Sequence, residues 1–159
     1  MRTRPDVHAL LDAPVEPAFA ESLALSVPEE LRERFTFVHS VEHSSMPALY
    51  SAAAVSGGCL IQTSLNESAS MIALEAMACG CPVVATSVGG TVELIDDGAT
   101  GFLYEPGDAG RAIELVERAL GNERQPLVQA ATTRVRERRV VPVVARAYLD
   151  ALGDLVGAD

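Results

Sequence analysis

A chain of 159 residues, 48% of them hydrophobic, has the length for one domain with a substantial core and is short for two. Twelve arginines, no lysine and 22 acidic residues leave a formal charge of −10, which argues against a nucleic-acid or anionic-membrane surface because phosphate-rich partners select basic patches. The first thirty residues carry six acids and no continuous apolar run, and no window approaches the roughly 18 to 20 apolar residues of a membrane helix, so neither a signal peptide nor a span is read and the expected location is the cytoplasm.

In chain order, Val7–Leu11 is a short apolar run after Pro5 and reads as a buried strand, and Pro14 and Pro17 interrupt regular structure beyond it. A faint helical pattern covers Ala18 to Leu25. Pro28 with Glu29 and Glu30 starts a single helical turn, and Arg34–Val38 alternates with β-formers, predicting a second strand. Ser44 or Ser45 caps a helix to about Ala54 with Met46, Leu49, Tyr50 and Ala53 on one face. Ser56-Gly57-Gly58 ends it and Cys59–Thr63 makes a third strand. A loop over Ser64–Glu67 leads into a helix from about Ser68 to Ala78, closed by Gly80 with Pro82 beyond.

Val83–Thr86 is a fourth, buried strand. Gly89-Gly90 form a turn, Thr91 caps a short helix through Glu93, Leu94 and Ile95, and Asp97-Gly98 with Thr100-Gly101 turn into a fifth strand, Phe102–Tyr104. Asp108 caps an amphipathic helix with Ile113, Leu115, Val116, Ala119 and Leu120 facing inward, stopped by Gly121-Asn122. Two tail helices are expected, about Pro126–Arg138 and Pro142–Val156, the latter packing Tyr148 with Val144, Leu149 and Leu152. The basic cluster Arg134, Arg136, Arg138 and Arg139 reads as a solvated helix face. Cys59, Cys79 and Cys81 form no disulfide framework, and the one-residue gap between the last two is too short for a zinc pair; small buried hydrophobes and no metal site are expected. His8, His39 and His43 supply no ligand spacing with them, and His43 reads as a surface residue.

Short strands alternating with helices through short loops imply an α/β fold, a Rossmann-like parallel sheet with helices on both faces. Such folds bind ligands at the carboxyl ends of the strands, next to helix N-termini, which places the loops after Val38, Thr63 and Thr86 on one rim.

The stretch Thr63–Thr86, TSLNESASMIALEAMACGCPVVAT, holds two glutamates, Glu67 and Glu75, with seven residues between them. From Ser70 to Cys79 the only charge is Glu75, and a carboxylate on an apolar helix is costly to bury without a partner. With the helix starting near Ser68, the two carboxylates stand about 12 Å apart along its axis. The free N–H groups of Ser68, Ala69 and Ser70 then suit a diphosphate, and carboxylates suit sugar hydroxyls because each accepts two hydrogen bonds. An acid at a helix start is also favourable with no ligand, by about 0.3–1 kcal/mol, and Glu75 fits a solvent edge or an arginine partner equally. Spacing alone leaves both open.

The run SLNESASMIALEAMACGCPVVATSVGGTVELIDDGATGFLYEPGD resembles the signature of the C-terminal, donor-binding domain of family 4 retaining glycosyltransferases, which have the GT-B architecture of two Rossmann-like halves. The resemblance is carried by the Glu67-to-Glu75 spacing, Glu75-Ala76-Met77-Ala78 with Gly80 and Pro82, Gly89-Gly90 with Glu93, and Asp97-Gly98 through Thr100-Gly101 to Pro106-Gly107-Asp108. It is densest over Phe37–Leu120, and Leu49-Tyr50 with Ala52, Ala53 and Ala54 is similar to a family helix. It implies that Glu67 is the catalytic-site carboxylate on the donor sugar and that Glu75 holds the ribose. Amides near Ser68, Ala69 and Ser70 would hold the distal phosphate, His39 to Val41 would flank the base, and Gly89-Gly90 would pack beside the site. It also implies a nucleoside diphosphate-sugar as donor substrate, no metal and no other cofactor.

This chain departs from the pattern at three places. Ser68-Ala69-Ser70 stands where the family often has Gly-Phe-Gly; the cationic pair that neutralises the donor diphosphate is missing, and Arg2 and Arg4 are not marked as that pair; the N-terminal acceptor-binding half is absent. The expectation is one nucleotide-sugar-binding domain over residues 1–159, with a motif core at 37–120 and a helical tail at 126–156, as a single incomplete GT-B half. Alone it is expected to transfer nothing. Expected partners are the nucleotide-sugar and the missing half, with no nucleic acid, and self-association through an exposed sheet edge. The alternatives are a non-catalytic protein-association module of the same fold and, fitting the helix pattern less well, a sugar-nucleotide epimerase or phosphorylase.

Overall fold

The computed structural model describes residues 9–12, 22, 25–38 and 41–138. They fall into two compact units divided between Met46 and Pro47. In the first, β1 (Ala9–Asp12) and β2 (Phe35–Val38) pair in parallel, with Ala9 opposite Phe35 and Asp12 opposite Val38. The described strand covers Ala9 to Leu11 of the expected run Val7–Leu11 and extends to Asp12; Val7 and His8 lie outside the described residues. The turn after Pro28 is a 3-10 helix, Glu29–Arg34, with Glu29 and Glu30 in its first turn and Arg32 and Arg34 in its last, the charge order a helix dipole favours. The helical pattern expected over 18–25 lies largely outside the described residues, and the tail helix over 142–156 lies outside them entirely.

A short 3-10 helix, His43–Ser45, leads into α1 (Met46–Val55), whose buried side chain is Tyr50. The second unit continues with β3 (Leu60–Gln62), α2 (Met71–Ala78), β4 (Val83–Thr86), α3 (Gly90–Leu94), β5 (Phe102–Tyr104), α4 (Ala109–Ala119) and α5 (Arg124–Arg138). Its three strands are parallel in the order β3, β4, β5, with Ile61 opposite Val84 and Val84 opposite Phe102. Among the described residues the strands form a parallel pair in the first unit and a parallel set of three in the second. Parallel strands joined by helices make this the Rossmann-like α/β arrangement.

Packing follows the strand period of two. Val84, Phe102 and Tyr104 form one core cluster with Leu115 and Ala119 of α4 and Leu127 of α5. Val83 and Ala85 point to the opposite face and are equally buried, and α2 packs on β3 and β4 through its Ala73, Ala76 and Met77 side. Ile113, expected inward on α4, is exposed, because Leu115 and Ala119 with Val116 beside them define the inner stripe. Cys81 is buried as expected, whereas Cys59 and Cys79 are half-buried.

Helix ends are closed by specific groups. After α2 the Cys81 N–H donates to the Ala76 carbonyl at 2.9 Å and the Gly80 N–H to that of Met77 at 3.2 Å, the paired bonds of a Schellman motif at the glycine expected to end this helix. Asp108 caps α4 by accepting from the Arg111 N–H at 2.9 Å. Thr91 lies inside α3 rather than capping it; the cap position is Gly89, and the Thr91 hydroxyl instead donates to the Thr86 carbonyl at 2.6 Å. The end of α1 is closed locally, the Gly58 N–H donating to the Ala53 carbonyl at 2.7 Å and the Gly57 N–H to that of Ala54 at 3.3 Å, and Arg124, at the start of α5, ties to it by donating to the Gly58 carbonyl at 2.6 Å and the Ala54 carbonyl at 2.5 Å. Arg134, read from sequence as part of a solvated face, is mostly buried and pairs with Asp96 while donating to the Glu93 carbonyl at 3.0 Å; Arg136 and Arg138 are exposed, and Arg139 lies outside the described residues. Among the described residues no helix is long and apolar enough to cross a membrane.

Candidate functional site

Because β3 and β4 are parallel neighbours, the segments that leave their carboxyl ends, 63–70 and 87–89, emerge on the same edge of the sheet. Two hydrogen bonds join these regions, and a third set fixes the first segment to β3. The Thr86 hydroxyl donates to the Ser64 carbonyl at 2.6 Å, the Gly90 N–H donates to the Glu67 carbonyl at 2.7 Å, and side chains of the 63–70 segment converge on Gln62 at the end of β3.

Gly89 and Gly90 meet the Glu67 segment backbone to backbone. A Cβ built on Gly89 would lie 1.9 Å from the Glu67 carbonyl oxygen, and one on Gly90 would lie 2.4 Å from that of Ser68. Gly89 also has φ +44, in the region side chains disfavour. The glycine pair expected beside the site therefore makes a close approach that no other residue type permits, and it does so at the first glutamate.

Gln62 is buried, 3% exposed, and its amide is fully engaged. Nε2 donates to Glu67 Oε2 at 2.9 Å and to Ser64 Oγ at 3.2 Å, Oε1 accepts from Ser70 Oγ at 2.6 Å, and the Tyr104 hydroxyl donates to the Gln62 carbonyl at 3.2 Å. Burial raises the Tyr104 phenol above its ordinary range, keeping it a donor there. Sequence reasoning passed over Gln62. Its signal is an amide in the otherwise apolar run CLIQT, where a buried polar group requires partners.

The helix after this loop begins at Met71, three residues later than expected, so Glu67 precedes α2 by four residues and Ser68, Ala69 and Ser70 belong to the loop. The Ser70 hydroxyl at the cap position makes no cap bond because it is spent on Gln62. The spacing of about 12 Å along one helix axis therefore does not apply to the two glutamates. Ser68 and Ala69 are exposed, Glu67 is half-buried, and Glu75 is half-buried on the side of α2 away from Ala73, Ala76 and Met77. Val41 is half-buried in the first unit, and His39 lies outside the described residues. Among the described residues no cluster of three or more His, Cys, Asp and Glu is placed to hold a metal ion.

The structure thus joins Glu67, Ser70, Gly89 and Gly90 at one sheet edge, around a buried amide. Comparison with known proteins gives this arrangement a family. Residues 17–138 match the family described as Glycosyl transferases group 1. The chain is 36% identical over 101 residues to the N-acetyl-alpha-D-glucosaminyl L-malate synthase of Bacillus anthracis, covering 60% of this chain and 26% of that protein. It is 34% identical over 103 residues to the D-inositol 3-phosphate glycosyltransferase of Paenarthrobacter aurescens, covering 61% and 25%. Anabaena HepE, solved with UDP-glucose and with UDP, superposes with TM-scores of 0.81 and 0.76 at 24% and 25% identity, covering 95% of this chain and 42% of that chain. The chain spans about a quarter of the length of the curated relatives it matches. With the family match running from before β2 to the end of α5 and the fold shared with a GT-B half, the chain belongs to the glycosyl transferases group 1 family.

Proposed function

We propose that this chain is the C-terminal, nucleotide-sugar-binding half of a retaining glycosyltransferase of family 4, transferring a sugar from a nucleoside diphosphate-sugar to an acceptor. The observation that carries the proposal is the Glu67 carboxylate fixed at the carboxyl edge of a parallel sheet, with the Gly89-Gly90 backbone against it. A carboxylate there accepts hydrogen bonds from sugar hydroxyls, and the exposed Ser68 and Ala69 backbone offers donors to a phosphate. Glu75 takes the ribose hydroxyls, and His39 and Val41 flank the base. The reaction needs no metal in this reading, and the acceptor comes from a second half. The HepE structures with UDP and UDP-glucose support a nucleotide-sugar as the ligand class.

Calorimetric titration with UDP, GDP and ADP tests the proposal. One nucleotide is expected to bind in the wild type, and Glu75→Ala is expected to lower its affinity about tenfold or more, the loss of a charge-assisted bond. No binding at millimolar concentration sinks it. The chain alone is expected to show no transfer with any nucleotide-sugar, and measurable turnover contradicts that part.

A second reading is a non-catalytic association module. It is favoured by the commitments of the arginines: Arg111 pairs with Glu114, Arg118 with Glu123, Arg134 with Asp96, and Arg124 donates to the Gly58 and Ala54 carbonyls. These bonds direct all four cations to partners outside the 63–70 loop. A wild-type chain that binds no nucleotide but self-associates in light scattering fits this second reading.

A further inference from the structure

Glu67 and Ser70 are separated in sequence by two exposed residues, yet both end on the same buried amide. The network fixes which way that amide faces. A carboxylate only accepts, so Nε2 must point at Glu67; Oε1 then faces Ser70, whose hydroxyl must donate. Both Nε2 hydrogens are used, on Glu67 and on Ser64. The loop is thus anchored at 64, 67 and 70 to one side chain that is itself immobilised at the end of β3. Glu67 binds through Oε2, while Oε1 has no partner among the described residues.

The geometry points to Gln62 as the positioning residue of this site: it holds the Glu67 carboxylate in place by one oxygen and leaves the other for a sugar hydroxyl, and through Ser70 it sets where the loop hands over to α2. This rests on Glu67 being the sugar-contacting carboxylate. Preorganising the carboxylate acts on the sugar part of a donor, while the Ser68-Ala69 backbone between the anchors at 67 and 70 carries a smaller effect to its phosphates. Gln62 therefore favours a nucleoside diphosphate-sugar over the bare nucleoside diphosphate while touching neither.

Three variants isolate the role. Gln62→Leu removes every side-chain bond. Gln62→Glu keeps the shape and the acceptor for Ser70 but replaces the donor to Glu67 with a second carboxylate. Gln62→Glu combined with Glu67→Gln restores one donor and one acceptor with their places exchanged. Amide hydrogen exchange over 64–70 is measured in the full chain, alongside titration with UDP and with UDP-glucose. Exchange in Gln62→Leu and Gln62→Glu is expected to rise about tenfold or more in this loop with β4 unchanged, and to return to near the wild-type rate in the double variant. UDP-glucose affinity is expected to fall about tenfold in Gln62→Leu and to stay low in the double variant, while UDP, which meets the loop only through its phosphate, loses clearly less than UDP-glucose; an equal loss for both overturns the sugar-specific role.

Unchanged loop exchange in Gln62→Glu, or no recovery in the double variant, overturns the inference. That arm needs no ligand, so it decides the anchoring even where the chain binds neither compound, and global loss of protection in Gln62→Leu leaves the two isosteric variants to decide. UDP-glucose affinity lost in Glu67→Ala but retained in Gln62→Leu overturns the role of Gln62 alone. Affinity retained in Glu67→Ala overturns the reading of Glu67 and, with it, the positioning role.

Discussion

Two glycines with the same sign of φ differ in what surrounds them. At Gly89 a Cβ would meet the Glu67 carbonyl oxygen at 1.9 Å, whereas at Gly98, with φ +74, it would meet nothing within 4 Å. Gly98→Ala therefore costs only backbone strain, about 1–2 kcal/mol. Gly89→Ala must also push the Glu67 loop off β4 and is expected to cost more than about 3 kcal/mol in urea unfolding. Equal costs at the two positions would contradict the close approach. At this scale the sequence is informative where a residue acts locally: Glu67 stands out as an acid in a polar loop, and Gly89-Gly90 as a turn. Gln62 is less visible because its partners are two, five and eight residues away and nothing in a strand pattern marks an amide as satisfied. The same holds for Arg124, whose partners lie 66 and 70 residues away.

Among the elements, β4 and β5 match their expected limits because each is a short apolar run closed on both sides by proline, glycine or a polar turn. The start of α2 is displaced because Ser70, a good cap by type, gives its hydroxyl to Gln62, and a Met71 N–H bond to the Ala69 carbonyl at 2.8 Å folds the preceding residues into the loop. Tertiary hydrogen bonding has overridden a local preference. Asp108 keeps its local role, and Asp108→Ala is expected to lower stability by about 1 kcal/mol, read by thermal or urea unfolding. Asp108→Ser is expected to recover most of the loss, and a failure of that rescue would separate Asp108 from capping.

Across the whole molecule, acids partly or wholly withdrawn from water lower stability at alkaline pH. Burial, with Cys81 close by, pushes the Cys59 thiol up to about 12 from 9.0 against the opposing field of Arg124, and burial likewise raises Cys81 and Tyr104. Between pH 9 and about 12 the unfolded chain releases a proton from Cys59 that the folded chain keeps, so stability is full below pH 9 and falls as pH rises through that window. Cys59→Ala is expected to flatten the fall by up to one proton, measured as urea midpoints at successive pH values; an unchanged slope would contradict the raised thiol. The Rossmann-like class was legible at this scale because the order of short strands and helices survives errors of two or three residues at their ends. The Arg124 bonds to Ala54 and Gly58 add a matter of timing. During synthesis α1 leaves the ribosome with its last carbonyls able to accept from the Ser56, Gly57 and Gly58 N–H groups, while the second donor to Ala54, Arg124, arrives only when the start of α5 emerges. The second unit is therefore completed from its far end, and a chain halted ahead of residue 124 carries an α1 that is capped but not yet tied to α5.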